Sequence, residues 1–218
     1  MAAQLPIAVK AVRAVDGVPM NEGAETKPAR IFVGLKISPQ IAGVLATQTS
    51  ELKEARVRLI APADIHLTLV PPWQEGSIDQ AVERLRRVAG MFKPFALTFQ
   101  HLGYGPQPRR PNLLWADCAA TDDITTLRDA LMQAFGQQDS RPFRPHVTLV
   151  RIREGQRSVA RRHPIDRALN LEQMVQTVEL FRSPPPGATG YQILASLELG
   201  NRDATVVDIP ASGPVTAD

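Results

Sequence analysis

The sequence has few histidine, cysteine and aromatic residues. Of its 218 residues, four are histidine and one is cysteine, and phenylalanine, tryptophan and tyrosine together account for 5%. The single cysteine, Cys118, excludes an intrachain disulfide framework and a zinc site built from cysteines. A reducing cytoplasm is therefore the expected location. No apolar run approaches the roughly 20 residues that cross a bilayer, so we expect no membrane contact.

Positive charge is concentrated in one window, although the net charge of the whole chain is only +3. Residues 141–167 contain eight arginines against two acidic residues. A local basic field suits an anionic ligand such as phosphate. On charge alone, a solvated and salt-bridged surface explains the window more simply. The arginines that could follow an RNA backbone as a group are Arg109, Arg110, Arg141, Arg144, Arg153, Arg161 and Arg162.

The periodicity of apolar residues predicts a mixed α+β domain over residues 30–199. Residues 1–29 and 200–218 lack such periodicity, and we expect both segments to be flexible. Strand-like and helical segments alternate with short connections between them. This order fits an α+β fold in which helices pack outside antiparallel sheets.

Four local predictions test this interpretation. The alternating segment "RIFVGLKIS" (30–38) predicts a strand. Ser38 followed by a proline predicts the start of a helix, which we expect to extend over residues 39–57. Residues 71–76, "PPWQEG", should form a loop because prolines do not fit a central strand. Residues 174–183 should form one strand.

Two of the four histidines lie in the same short frame, "HLTL" at 66–69 and "HVTL" at 146–149. Side chains alternate between the two faces of a strand. His66 and Thr68 therefore share one face, and His146 and Thr148 share one face of the second strand. If the two strands are neighbours, two imidazoles and two hydroxyls converge on one space.

This set of side chains suits the chemistry of a phosphodiester. A neutral imidazole can accept a proton from an attacking hydroxyl or water, while a protonated imidazole donates one to the leaving oxygen. Threonine hydroxyls can donate hydrogen bonds to the phosphate oxygens. We expect no metal or other cofactor, because the sequence has neither an HExxH motif nor a cysteine cluster.

The repeated frame and its surroundings resemble the 2H phosphoesterase superfamily, and within it the RNA 2′,3′-cyclic phosphodiesterases, also called 2′-5′ RNA ligases. The resemblance extends over about 30–199. The segments that carry it are "RIFVGLKIS", "HLTL", "GYGPQPRRPNLLWADC", "RPFRPHVTLVR" and "VELFRSPPPGATGYQIL". After the first frame these enzymes usually continue with a Phe-Leu-Gly-like stretch, where this chain has "VPPW" (70–73).

The resemblance implies a bilobal fold, with two antiparallel sheets and outer helices related by a pseudo-twofold axis around a central cleft. It implies His66 and His146 as the acid–base pair, with Thr68 and Thr148 binding phosphate. His66 is assigned here as the acid, although the sequence allows either histidine that role. Arg151 matches a family arginine, but a regular strand would place it on the face opposite Thr148. A bulge or a strand end would be needed to bring it into the cleft.

Three aromatic residues are weaker candidates for the rim of the cleft. Trp73 could stack on a base or cap the core. Phe143 and Tyr104 could also stack on a base, although packing in the core or in a loop explains them equally well.

The function expected from the resemblance is metal-independent hydrolysis of a 2′,3′-cyclic phosphate, at an RNA end or on a small cyclic nucleotide, to a 2′-phosphate. Two alternatives remain open, which are 2′-5′ RNA ligation and binding of nucleotide or RNA with little catalysis. We expect a monomer without an obligate protein partner.

Overall fold

The computed structural model describes residues 28–200 except residues 54, 108, 157, 186 and 187. The predictions for residues 1–27 and 201–218 lie outside the described residues. None of the described helices is long and apolar enough to cross a membrane. The elements found in the described part are, in chain order, β1 Ala29–Lys36, α1 Pro39–Thr47, β2 Arg58–Leu59, β3 His66–Glu75, α2 Ile78–Ala89, β4 Phe95–Gly105, β5 Leu113–Cys118, α3 Asp122–Ala134, β6 His146–Arg151, α4 Val159–Arg162, β7 Asp166–Val175, β8 Thr177–Arg182 and β9 Gln192–Glu198.

The strands form two four-stranded antiparallel halves that meet at the strands bearing the repeated frame. The strand order is β7-β4-β5-β6-β3-β1-β8-β9, and β2 pairs with β6 outside this path. Each half has a strand with the repeated frame at the centre and three further antiparallel strands outside it, which confirms the predicted α+β class. The two expected sheets are joined into one by the antiparallel pairing of β3 and β6 at Leu67 and Val147.

Helix α1 begins where the sequence predicts, after Ser38. The Ser38 hydroxyl accepts a hydrogen bond from the Ile41 amide at 3.3 Å, and Ser77 caps α2 in the same way through Gln80. These hydroxyls satisfy amides that have no partner inside the helix. The buried residues of α2 and α3 pack with Leu67 and Val147 in one apolar core. In both frames the apolar side chains therefore face this core, and the histidine and threonine side chains face away from it.

The predicted helix over 39–57 is too long, because α1 ends at Thr47. The Thr47 hydroxyl donates to the Val44 carbonyl at 2.7 Å, and the Thr49 hydroxyl donates to the Ala46 carbonyl at 2.8 Å. Such side-chain bonds compete with the regular helical ladder. The chain continues as a short 3₁₀ turn over Ser50–Leu52.

The predicted loop at 71–76 is also wrong, since β3 continues through Glu75. Beyond Leu67 this strand pairs with β1 alone along the sheet path, so it has a free edge there. The register with β1 shifts between Val33 and Ile31, opposite the two prolines. Prolines are tolerated at edges and irregularities because no ladder hydrogen bond is lost there.

The single strand predicted over 174–183 is two strands, which separate at Gln176. The first of them, β7, begins at Asp166, eight residues before the predicted strand. This strand lies at one end of the sheet, and most of its side chains are exposed or half-buried. Its sequence therefore lacks the apolar alternation that marks a half-buried strand.

Candidate active site

The polar sides of the two frames line a small cavity at the centre of the sheet. Leu67 lies opposite Val147, and both side chains face the core. The histidine and the threonine that flank each of them in sequence therefore point away from the core. The cavity has a volume of about 40 Å³. It is lined by Ile60, Asp64, His66, Thr68, His146, Thr148, Arg151 and Tyr191. The structure thus brings together all five residues predicted for acid–base catalysis and phosphate binding.

Both histidines are held by the same local hydrogen bond. The Nδ1 atom of His66 lies 2.7 Å from the Asp64 carbonyl oxygen, and Nδ1 of His146 lies 2.7 Å from the Arg144 carbonyl oxygen. A carbonyl oxygen only accepts, so each Nδ1 carries the proton. The Nε2 atom of each ring is then the one available for proton transfer with a ligand.

Burial is the main influence on the proton affinity of both rings. It lowers the pKa of His66, an effect that the hydrogen bond to Asp64 partly offsets and the charge of Arg151 reinforces. Burial also lowers the pKa of His146, while its hydrogen bond to Arg144 and the charge of Asp117 oppose that shift. Both rings therefore favour the neutral form more than a free imidazole does.

Arg151 reaches the cavity because β6 contains a bulge. Trp115 of β5 pairs with Thr148, whereas Leu114 pairs with Val150, so Leu149 is an extra residue in β6. The bulge resets the alternation of faces, and both Leu149 and Val150 are buried. The side chain of Arg151 consequently lies on the same side as Thr148.

The first frame has the same irregularity. Gly34 pairs with Thr68 and Val33 with Val70, so Leu69 is the extra residue there. The position equivalent to Arg151 is Pro71, which carries no charge. The cavity is therefore symmetric in its histidines and threonines but has its arginine on one side only.

His66 lies among aromatic rings that the sequence did not identify as functional. Its ring centroid is 4.8 Å from that of Phe32, 5.4 Å from that of Phe181 and 4.7 Å from that of Tyr191. The Tyr191 amide donates to the Asp64 carboxylate at 3.0 Å, which ties this segment to the residue that supports His66. Only the pairing of distant strands reveals this cluster.

His146 has a different and charged environment. Trp115 packs on its ring with centroids 4.3 Å apart, and Asp117 lies directly across from it on β5. Arg144 donates two hydrogen bonds to the Asp117 carboxylate, at 2.9 and 2.8 Å, and stacks over Trp115. Neither Trp115 nor Asp117 is among the site residues predicted from the sequence.

The three predicted rim residues lie outside the cavity lining. Trp73 packs on Phe135 at the core and donates to Glu75 at 3.2 Å. The Tyr104 hydroxyl donates to a backbone carbonyl at 2.8 Å. Phe143 lines a separate groove of about 410 Å³ that also contains Arg144. Trp73 and Tyr104 are therefore corrected to packing residues.

Several arginines of the basic window are paired with carboxylates. Arg141 pairs with Asp139, Arg144 with Asp117 and Arg167 with Glu51. Arg151 has no ion pair within the described part of the chain. Its charge thus remains available for a ligand in the cavity. Among the described residues, no three His, Cys, Asp or Glu side chains are grouped so that they could bind a metal ion.

Two histidines and two threonines line one anion-sized cavity where the two antiparallel half-sheets meet. The chain belongs to the 2′-5′ RNA ligase superfamily, whose family model matches residues 42–182. It is 25% identical over 137 residues to the RNA 2′,3′-cyclic phosphodiesterase of Archaeoglobus fulgidus, covering 60% of this chain and 77% of the relative. It is 25% identical over 158 residues to the protein of the same name from Bacillus subtilis, covering 69% and 86%.

Solved structures agree with this fold. The protein TT0787 of Thermus thermophilus superposes with a TM-score of 0.65 at 22% identity, covering 78% of this chain and 98% of that one. E. coli LigT complexed with 3′-AMP superposes with a TM-score of 0.62 at 23% identity, covering 80% and 100%. At this identity the likeness establishes the fold.

Proposed function

We propose that this chain hydrolyses the 2′,3′-cyclic phosphate at an RNA end to a 2′-phosphate, with His66 and His146 as the acid–base pair. The observation that carries the proposal is the convergence of the two histidines, the two threonines and Arg151 on one cavity. The names of the relatives from Archaeoglobus fulgidus and Bacillus subtilis support the same substrate.

In the proposed reaction each of these groups has one role. His146 Nε2 accepts a proton from water as the water oxygen attacks phosphorus. The bond between phosphorus and O3′ breaks, and His66 Nε2 donates its proton to O3′. Hydrogen bonds from Thr68 and Thr148 and the guanidinium of Arg151 stabilise the charge on the non-bridging oxygens.

The assignment of His146 as the base is supported by Asp117. This carboxylate lies across from His146 and favours the imidazolium that forms when the ring accepts a proton. Burial and the charge of Arg151 lower the pKa of His66, so its imidazolium is a better proton donor than a free one; both also act on His146, where Asp117 opposes them. Ligation would use the same ring opening, with an RNA 5′-hydroxyl in place of water, and would leave a 2′-5′ linkage.

The test is to incubate the protein, in excess EDTA, with adenosine 2′,3′-cyclic monophosphate and with an RNA that ends in a cyclic phosphate. Phosphorus NMR distinguishes a 2′-phosphate from a 3′-phosphate, and gel analysis with a 5′-hydroxyl acceptor RNA detects ligation. We expect a 2′-phosphate from both substrates. Ligated RNA as the main product would favour the ligase alternative. No turnover of either substrate, or formation of a 3′-phosphate, would contradict the proposal.

A further inference from the structure

A larger groove opens directly from the cavity on the side of the first frame. Its volume is about 510 Å³, and His66, Thr68, Arg151 and Tyr191 line both spaces. A cavity of about 40 Å³ holds little more than a small anion. Whatever is attached to a phosphate in the cavity must therefore extend outside it, and this groove adjoins it directly.

Three arginines give this groove its charge. Arg30 of β1, Arg58 of β2 and Arg151 of β6 line it, and none of the described residues that line it is acidic. Within residues 28–200 as described, none of the three has an ion pair or a side-chain hydrogen bond. This contrasts with Arg141, Arg144 and Arg167, which are neutralised by carboxylates.

Two of these arginines are placed directly opposite each other. Arg58 of β2 pairs with Arg151 of β6 in antiparallel register. Like charges at directly opposed positions destabilise a sheet. Arg58 and Arg151 have no carboxylate partner among the described residues, so their proximity becomes favourable when an anion lies between or beside the two guanidinium groups.

Ser183 adds an unpartnered hydroxyl beside Arg30. Its backbone amide donates to the Arg30 carbonyl at 2.8 Å, and the residue lines the groove. Its Oγ is buried and lacks a hydrogen-bond partner in the described structure. A buried hydroxyl without a partner costs stability, and rotation about its Cα–Cβ bond can aim it at an acceptor.

We propose that Arg30 and Arg58 bind a second phosphate, that of the internucleotide linkage preceding the reacting cyclic phosphate, with Arg151 between the two phosphates. The substrate of this chain is then an RNA end in preference to a free cyclic nucleotide. This inference rests on the proposed function, because the phosphate in the cavity sets the position of the second one.

The test uses two dinucleotides that end in a 2′-phosphate and differ only at the internucleotide linkage. One has a charged phosphodiester, and the other has an uncharged methylphosphonate. Binding of these product analogues, followed by calorimetry over a range of salt concentrations, does not depend on turnover. We expect wild type to bind the phosphodiester about 10-fold more tightly, as suits one charge-assisted contact.

Arg58→Gln should remove most of this preference, and Arg30→Gln should reduce it. The salt dependence of binding the phosphodiester should also fall, by about 0.7 in the slope of log K against log salt for each phosphate that the variant no longer binds. The matched control is Arg87→Gln, since Arg87 is an exposed arginine on α2, outside the groove. It should leave both the preference and the slope unchanged.

Equal binding of the two dinucleotides by wild type would overturn the second phosphate site. A weakening in Arg58→Gln that is the same for both linkages would also overturn it, because the arginine would not be binding that phosphate. These results leave the hydrolysis of adenosine 2′,3′-cyclic monophosphate untouched. Failure to hydrolyse both that nucleotide and an RNA that ends in a cyclic phosphate would instead contradict the proposed function, so the two failures are distinguishable.

Discussion

Asp117 lies directly across from His146 on the neighbouring strand, and Arg144 clamps its carboxylate with two hydrogen bonds. The groups that face His146 from the elements around it are Asp117, Arg144, Arg151 and His66. Asp117 is the carboxylate among them. It therefore opposes the effect of burial, and of the two arginines, on the His146 ring.

Replacing Asp117 should shift the pH dependence of turnover. In Asp117→Asn the pKa of His146 falls, because the carboxylate that raises it is gone and Arg144 is no longer neutralised. If His146 is the base, the acidic limb of the profile of kcat/KM moves to lower pH. The matched control, Asp129→Asn, removes an exposed carboxylate that pairs with Arg128 on α3 and should not move either limb. A shift of the basic limb instead would assign His146 as the acid.

Arg151 should contribute through its geometry as well as its charge. Arg151→Gln should lower kcat/KM by about 10- to 100-fold, the effect expected for a hydrogen bond to a charged group. Arg151→Lys should recover only part of this, because an ammonium cannot make the two parallel bonds of a guanidinium. Steady-state kinetics of both variants with a cyclic nucleotide as substrate measures these changes in kcat/KM. Wild-type activity in Arg151→Gln would show that the arginine does not contact the reacting phosphate.

The two threonines should contribute equally, since the cavity is symmetric in them. Thr68→Val and Thr148→Val keep the shape of the side chain but remove the hydroxyl. Each should lower kcat by about 100-fold, as for other donors aimed at a developing negative charge. Thr126→Val, at an exposed position of α3, is the control. Unequal effects would indicate that the phosphate lies nearer one frame than the other.

Gly34 is required where β1 passes β3. A Cβ atom at this position would lie 2.5 Å from the Leu67 carbonyl oxygen, which belongs to the strand that positions His66. We expect Gly34→Ala to destabilise the fold by about 1 to 3 kcal/mol and to reduce turnover by moving the frame. Gly43→Ala in α1 meets nothing within 4 Å and should be neutral or stabilising by about 0.5 to 1 kcal/mol. Denaturant unfolding of both variants compares them. Equal stability of the two would contradict this account of β1.

The sequence predicted which side chains share one face of each strand better than it predicted which residues contact the two histidines. The period of a strand is local, so the shared face of His66 and Thr68 could be predicted from spacing alone. The placement of Arg151 depends on the bulge at Leu149, and a bulge leaves little trace in sequence. Asp117 and Tyr191 reach the histidines only through the pairing of strands far apart in the chain. A single sequence does not specify that register.

The same limit explains the errors in the fold. The rule that excludes proline from central strands is sound, but it needs the knowledge that β3 has a free edge beyond Leu67. The polar pattern of β7 follows from its place at the end of the sheet. Both features belong to the assembled sheet and not to the local segment.

The most direct test of the central claim is to compare His66→Ala, His146→Ala and the double variant with wild type, on a 2′,3′-cyclic phosphate in EDTA. If the two rings act as one acid–base unit, each single variant should lose nearly as much of kcat as the double variant does. Wild type should keep its rate in EDTA. Substantial turnover in either single variant would contradict a two-histidine mechanism. Loss of wild-type turnover when EDTA is added would contradict it as well.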